Sequence, residues 1–232
     1  MKKLSAPAQL IERVYEAILE AICDGTLQPN ERITQEGLAE QLGVSRQPIL
    51  QAFQILKREG FIEENGRKGV AVTPLDAKRL VEVYQVRAAL DALAARCAAL
   101  RIRQLGAGPF KDIASQVIQQ GRRAVESNDT RNLVVTDMAF HSAIYEMSGN
   151  PVIAQTAALH WHHIRRVMSA ILRHDVRTFA GVWDEHQAII EAILDGLPDQ
   201  AASLAQQHAE SAAEHLANVL QSGEFNATLK QA

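Results

Sequence analysis

"LAEQLGVSRQPILQAFQILKREGFIEENGRKGVAV", residues 38–72, carries three local signals in succession. Its first residues complete a short helix, "TQEGLAEQL", for which Thr34 stands at the capping position. Gly43-Val44 makes a tight turn, and Ser45 is placed to cap the next helix, which runs to about Glu59 and turns Ile49, Phe53 and Leu56 inward. Two short β-prone runs then flank Asn65-Gly66, the signal of a hairpin. Upstream, Ile11, Val14, Tyr15, Ile18, Leu19 and Ile22 form the stripe of an amphipathic helix over 8–24, ended by Gly25 and Pro29. Helix, helix, turn, helix and hairpin within one short domain is the order of a winged helix-turn-helix, and the reading assigns it residues 8–74.

From Pro74 onward the strand signals stop. "LDAKRLVEVYQVRAALDALAARCAALRI" reads as one long helix, broken by "GAGP" at 106–109. Helical stretches follow at about 110–127, 130–148, 151–173, 176–195 and 198–221, separated by turn residues such as Gly149-Asn150-Pro151 and Gly196-Leu197-Pro198. Connections this short join antiparallel neighbours. The expected fold is mainly α: an N-terminal winged helix-turn-helix, then an all-helical antiparallel bundle over 76–222. The last ten residues show no apolar stripe.

Composition fits this architecture. Of 232 residues, 47% are apolar and 22% charged, while aromatics are only 5% and Ala, Leu and Gln are abundant, which favours helices. No apolar run approaches the roughly 20 residues that cross a bilayer. "MKKLSAPAQL" has no apolar stretch behind its lysines, so no signal peptide is read. Cys23 and Cys97 lie in separate helical patterns and are expected as buried, reduced thiols, consistent with a cytoplasmic location.

The helix after Gly43-Val44 would enter the major groove by its N-terminal end. Its outward residues are Arg46, Gln47, Leu50, Gln51 and Gln54. Arg pairs with guanine or grips phosphate, and Gln pairs with adenine. Arg67 and Lys68, at the hairpin tip, would reach phosphate or the minor groove as a wing does. Charge alone argues only locally: residues 1–74 hold nine Lys/Arg against ten Asp/Glu, and Gly43 to Gly69 holds five against three.

A second constellation lies in "TDMAFHSAIYEMSGNP", residues 136–151. Asp137 and His141 are four apart on a helix face that Met138, Ile144 and Tyr145 mark as apolar, where a bare carboxylate is costly. A structural partner could neutralise Asp137, and so could a metal ion. His186 and His208 sit in later helices beside packed apolar residues. One carboxylate and three imidazoles form a ligand set for Zn, Ni or Mn. Spacing alone does not separate that from ordinary core or surface histidines. His160, His162 and His163 face different ways on one helix and cannot share an ion; they read as mostly solvated, and Arg165 and Arg166 as surface or interface residues.

The opening stretch resembles the winged-helix domain of the GntR family of bacterial transcription regulators. Leu38, Ala39, Leu42, Gly43, Val44, Ser45, Arg46, Pro48, Ala52, Leu56, Glu59 and Gly60 match its pattern, and Gly69 and Val72 match its wing. The resemblance implies that Ser45, Arg46, Gln47 and the wing around Gly69 touch DNA. Two positions depart from it. Leu50-Gln51 stands where the family usually has Arg-Glu, and Glu36 stands where it favours a basic or polar residue. "VYQVRAALDALAARCAA", "DMAFHSAIYEMSGNP", "DEHQAIIEAILDG" and "QQH" resemble the FCD domain, the helical ligand-sensing bundle of one GntR subfamily. That likeness implies a metal held by Asp137, His141, His186 and His208, with zinc first and nickel or manganese as alternatives. It also implies that Arg87 faces an acidic effector, against which stands a salt bridge to Asp91 one turn on. The expected protein is a metabolite-responsive regulator, a repressor by preference. It would bind operator DNA as a homodimer, sense a small organic acid, and have no membrane partner. The competing readings are a DNA-binding dimer without an effector and a metal-dependent hydrolase.

Overall fold

The computed structural model describes residues 8–66, 69–174, 181–222 and Phe225. The chain divides into two compact units, Met1–Leu75 and Asp76–Ala232.

The first unit comprises α1 (Ala8–Asp24), β1 (Arg32–Ile33), α2 (Gln35–Leu42), α3 (Arg46–Arg58), β2 (Ile62–Glu64) and β3 (Val70–Val72). Val14, Ile18 and Ile22 of α1 pack with Leu38 of α2 and Ile49, Phe53 and Leu56 of α3 over Ile62 and Val72. The expected apolar faces therefore meet in one core. Tyr15 donates to Glu59 Oε2 at 2.7 Å, tying α1 to the end of α3. Burial, then this carboxylate, raises the Tyr15 hydroxyl above its ordinary range.

Three local details differ from the sequence reading. First, the sheet has a third strand: β1 pairs antiparallel with β3, giving the order β1-β3-β2. Two residues are too few to show alternation, and the strand is set by Asn30, whose left-handed backbone (φ 67) lets its N–H reach Val72 O at 2.9 Å. Second, Ser45 holds the N-cap position of α3 but makes no side-chain cap bond. An N-cap oxygen accepts from the second or third helical N–H; the third residue here, Pro48, has none, which leaves only Gln47, and Ser45 makes no bond to it. Thr34, by contrast, accepts from Gly37 N at 3.1 Å as expected. Third, the β2–β3 connection is closed by Asn65 N–H donating to Gly69 O at 3.0 Å, beyond the Asn65-Gly66 pair that the sequence points to. The turn between α2 and α3 rests on Gly43, whose φ of 63 suits glycine.

The second unit comprises α4 (Ala77–Leu105), α5 (Gly108–Ser127), α6 (Thr130–Ser148), α7 (Pro151–His174), α8 (Val182–Leu194) and α9 (Pro198–Gln221). Asp76 starts α4 by accepting from Lys78 N and Arg79 N, and Asp129 starts α6 by accepting from Asn132 N. α4 packs against α6, α7 and α8 and most extensively against α9. Small residues permit this approach, with Ala94, Ala95, Ala98 and Ala99 of α4 and Ala201, Ala205 and Ala209 of α9 all buried. Gly121 of α5 accepts the Trp183 indole so closely that a Cβ there would lie 1.9 Å from the ring. The helix expected from 176 begins, among the described residues, at Val182.

Candidate DNA-binding face and metal centre

α3 is buried along Ile49, Ala52, Phe53 and Leu56. That places Arg46, Gln47, Leu50, Gln51 and Gln54 outward, as the helical phase predicts. A groove of about 610 Å³ runs beside the helix, and its lining includes Glu36, Arg46, Leu50, Gln54, Lys57 and Glu64. Gly66 and Gly69 of the wing loop line it too. Ser45, Gln47 and Gln51 are exposed but do not line this groove. Arg67 and Lys68 lie outside the described residues. Arg46 is ion-paired with Glu36, and Lys57 with Glu64. The sequence reading missed Arg32 of β1, whose Nε lies 3.1 Å from where a Cβ at Gly69 would sit. Only strand pairing brings those two residues together, so no local pattern announces it.

In the bundle, α6 is buried around most of its circumference, and Asp137 and His141 occupy one face a turn apart. α8 brings His186 and α9 brings His208 to the same point. Candidate donor atoms of the four residues lie within 4.8 Å of one another. His186 Nε2 is 3.6 Å from Asp137 Oδ1 and 3.2 Å from His208 Nε2, and His141 Nε2 is 4.0 Å from Asp137 Oδ2. None of the four is more than 5% exposed.

Two further carboxylates orient the rings. Glu185 Oε2 lies 2.7 Å from His208 Nδ1, and Asp91 Oδ2 lies 3.2 Å from His141 Nδ1. Assigned from these partners, each Nδ1 carries the proton. The Nε2 lone pair of His208 then faces the shared centre, while that of His141 accepts from Arg87. The Nδ1–carboxylate pairing is the arrangement of a metal-binding histidine. Asp137 Oδ2 and His186 Nδ1 are buried without a hydrogen-bond partner. A buried carboxylate oxygen left open beside convergent imidazole nitrogens fits a bound cation, and three nitrogens with one oxygen suit a borderline transition ion.

Arg87 makes the salt bridge to Asp91 that the sequence offered as one reading, and it also lines a cavity beside the cluster. It is 4% exposed. Its Nε donates to Asp91 Oδ2 at 3.2 Å, while Nη2 contacts His141 Nε2 and lies 4.0 Å from Asp137 Oδ2. Its guanidinium also sits 4.9 Å over the Tyr84 ring and 5.0 Å over Trp161. Asp91 thus accepts from Arg87, His141 and the Tyr145 hydroxyl. Burial alone would raise its carboxyl, but His141, then Arg87 and Tyr145, outweigh it and hold Asp91 at about 2. Burial, then Arg87, lowers the His141 imidazole, and burial with the neighbouring histidines lowers His186 well below its ordinary value. Both rings are therefore neutral at pH 7, the form that ligates a metal.

A cavity of about 210 Å³ opens beside the cluster, lined in part by Tyr84, Arg87, Asp137, Glu185, His208 and His215. That is below the usual range for drug-sized ligands, about 300–1,000 Å³, and suits a molecule of few heavy atoms. Other expectations are corrected. Arg166 is 5% exposed, because α7 packs against α4, α6 and α9 and has little free circumference. His160, His162 and His163 are half-buried rather than solvated. Cys23 is buried, whereas Cys97 is half-buried, and no disulfide joins them. Sequence reasoning missed Glu185, Tyr145 and the central role of Asp91. Asp91 was visible only as an i+4 partner of Arg87, and Glu185 gains its role from the approach of α9.

A winged helix-turn-helix and a helical bundle with a buried ligand-type cluster together define a class, the DNA-binding transcription regulator with an attached bundle domain. Residues 10–72 match the bacterial regulatory proteins of the gntR family, and residues 82–211 match the FCD domain. The chain belongs to the GntR family and carries its FCD domain; it is a transcription regulator and not an enzyme, which sets aside the hydrolase reading. It is 26% identical over 227 residues to the uncharacterized HTH-type transcriptional regulator YdhC of Bacillus subtilis (strain 168), covering 97% of this chain and 98% of that one. It is 23% identical to the gluconate operon transcriptional repressor of the same strain, covering 83% and 78%. The solved structure of E. coli McbR/YncC shares the fold, with a TM-score of 0.73 at 18% identity over 92% of this chain and 98% of that one. Among the described residues, no helix is long and apolar enough to cross a membrane.

Proposed function

We propose that this regulator is a cytoplasmic, metabolite-responsive repressor. It would bind a palindromic operator as a homodimer, and its bundle would take up a divalent transition metal and a small carboxylate. On the DNA side, Arg46, Gln47 and Gln51 would read or grip the major groove. Ser45 would contact the backbone, and Arg67, Lys68 and Gly69 would form the wing contact. In the bundle, Asp137, His141, His186 and His208 would hold the ion, with zinc favoured by the imidazole-rich donor set and nickel or manganese as alternatives. Bound there, the ion would supply positive charge and open coordination positions to a carboxylate. Arg87 would pair with the same ligand from the cavity side. The likeness to a gluconate operon repressor supports the sign of regulation and a small organic acid as ligand.

One observation carries the sensing half: the open Asp137 Oδ2 among three convergent imidazoles, beside a small cavity that Arg87 also lines. The rival, a DNA-binding dimer with no effector, draws on Arg87 being already engaged with Asp91 and His141. Thermal shift and DNA release separate the two. Chelator-treated and zinc-loaded protein are screened against small mono- and dicarboxylates. The proposal expects at least one acid to raise the melting temperature of the loaded form only and to change its affinity for DNA. Equal and null responses of both forms would leave the effector-free dimer.

A further inference from the structure

The groove beside α3 holds its cations in pairs. Glu36, in the first turn of α2, meets Arg46, the first residue of α3. Lys57, in the last turn of α3, meets Glu64 at the end of β2. Among the described residues, the charged side chains lining the groove are these four, two of each sign. Both ends of the outward helix thus carry a cation already facing a carboxylate, and Leu50 between them has no charge to offer. The hydrogen bond from Lys57, then its charge, lowers the Glu64 carboxyl.

We propose that Glu36 and Glu64 are specificity-determining residues, which offset Arg46 and Lys57 so that the face grips DNA of arbitrary sequence weakly and depends on base contacts for affinity. The inference rests on α3 and the wing being the DNA face. Exposed ion pairs are weak, and here the side chains are 65% and 73% exposed in one pair and 38% and 74% in the other. Phosphate can therefore draw the cations away. The carboxylates nevertheless remain in the groove and repel phosphate, so each cancels much of the counterion release its partner would give. Non-specific binding consists almost wholly of that electrostatic contribution, whereas operator binding adds hydrogen bonds and apolar contacts to base edges. On random DNA Arg46 and Lys57 can meet only phosphate, where the carboxylates oppose them, whereas on an operator Arg46 turns to a base edge and loses less to that repulsion. The cost therefore falls harder on random DNA, and the ratio between the two rises.

The test uses the full chain, its Glu36→Gln and Glu64→Gln variants and the double variant. Each is titrated by anisotropy against a fluorescent duplex of arbitrary sequence over roughly 50–200 mM salt. A second duplex is one selected from a random pool by the parent protein. Each substitution is expected to bind the arbitrary duplex several-fold tighter and to steepen the log–log salt slope by about 0.9 per freed cation. The double variant should do so additively, and the preference for the selected duplex should fall. Unchanged slopes and an unchanged preference, with melting like the parent's, overturn the inference. Arg46→Ala separates that failure from a deeper one. If it weakens binding to the selected duplex while the glutamate variants do nothing, only this inference fails. If it too leaves both duplexes bound as before, this is not the DNA face.

Discussion

Arg46 with Glu36 and Arg87 with Asp91 are the same chemical pair in opposite settings. The first has side chains 65% and 73% exposed; both of the second are 4% exposed. In water, attraction is screened and the two side chains lose rotamer freedom to meet, so an exposed pair contributes about 0–1 kcal/mol. In the bundle the guanidinium and carboxylate are cut off from water, and removing one partner strands the other. The winged unit therefore keeps its charges available for a partner to take, while the bundle commits its charges to holding a site in shape.

Asp91→Ala should break this contrast most forcefully. It leaves Arg87 buried without its carboxylate and takes the acceptor from His141 Nδ1, an expected loss of about 3–5 kcal/mol in denaturant unfolding. A loss below about 1 kcal/mol would mean that the bundle pair is no stronger than the surface one. Gly121→Ala comes next. The added methyl would meet the Trp183 ring at 1.9 Å, and overpacking should cost about 1–3 kcal/mol. Wild-type stability would show that α5 and α8 can separate freely.

Acid should act third, and on the bundle. The lowered imidazoles of His141 and His186 bind protons less readily folded than unfolded. Their contribution is full above the ordinary histidine value of about 6.5 and is lost as pH falls below it toward the folded values. Metal-free protein should accordingly melt progressively lower between about pH 7 and pH 5. Asp91 has its own window. Its contribution is present above the ordinary carboxylate value of about 3.9 and is lost only as pH falls toward about 2. A melting temperature flat from pH 7 to pH 5 would contradict the assignment of neutral, buried rings. Smallest in stability is Arg46→Ala, expected within about 0.5 kcal/mol of wild type. It should nevertheless cost about 1–3 kcal/mol of operator affinity. A large loss of stability would place Arg46 on the wrong side of the comparison.

The two regions also differ in how far the sequence discloses them. The helices and the α2–Gly43–α3 turn follow from short-range periodicity and turn chemistry, and they emerged close to where the sequence places them. The β1 strand did not, because Arg32-Ile33 is defined only by pairing with Val70 and Ala71. Ser45 looked like a cap until Pro48 was counted as a missing donor. Asp137 and His141 were legible as an i+4 pair on one helix. The meeting with His186 and His208 depends on three helices converging, and spacing alone could not decide it; the family resemblance supplied that expectation. Glu185 and Tyr145 carried no signal, since each gains its role from a residue on another helix.

Metal content tests the central claim most directly, that the buried cluster is a cation site and not a set of core hydrogen bonds. Protein made without a polyhistidine tag and purified without chelator is analysed for elements, beside His208→Ala and Asp137→Asn. The account predicts one transition metal ion per chain in the parent and reduced occupancy in both variants. Chelation should lower the melting temperature of the parent, because an ion that binds only the folded state stabilises it by mass action. Absence of stoichiometric metal, with melting indifferent to chelator and to added zinc, would contradict it.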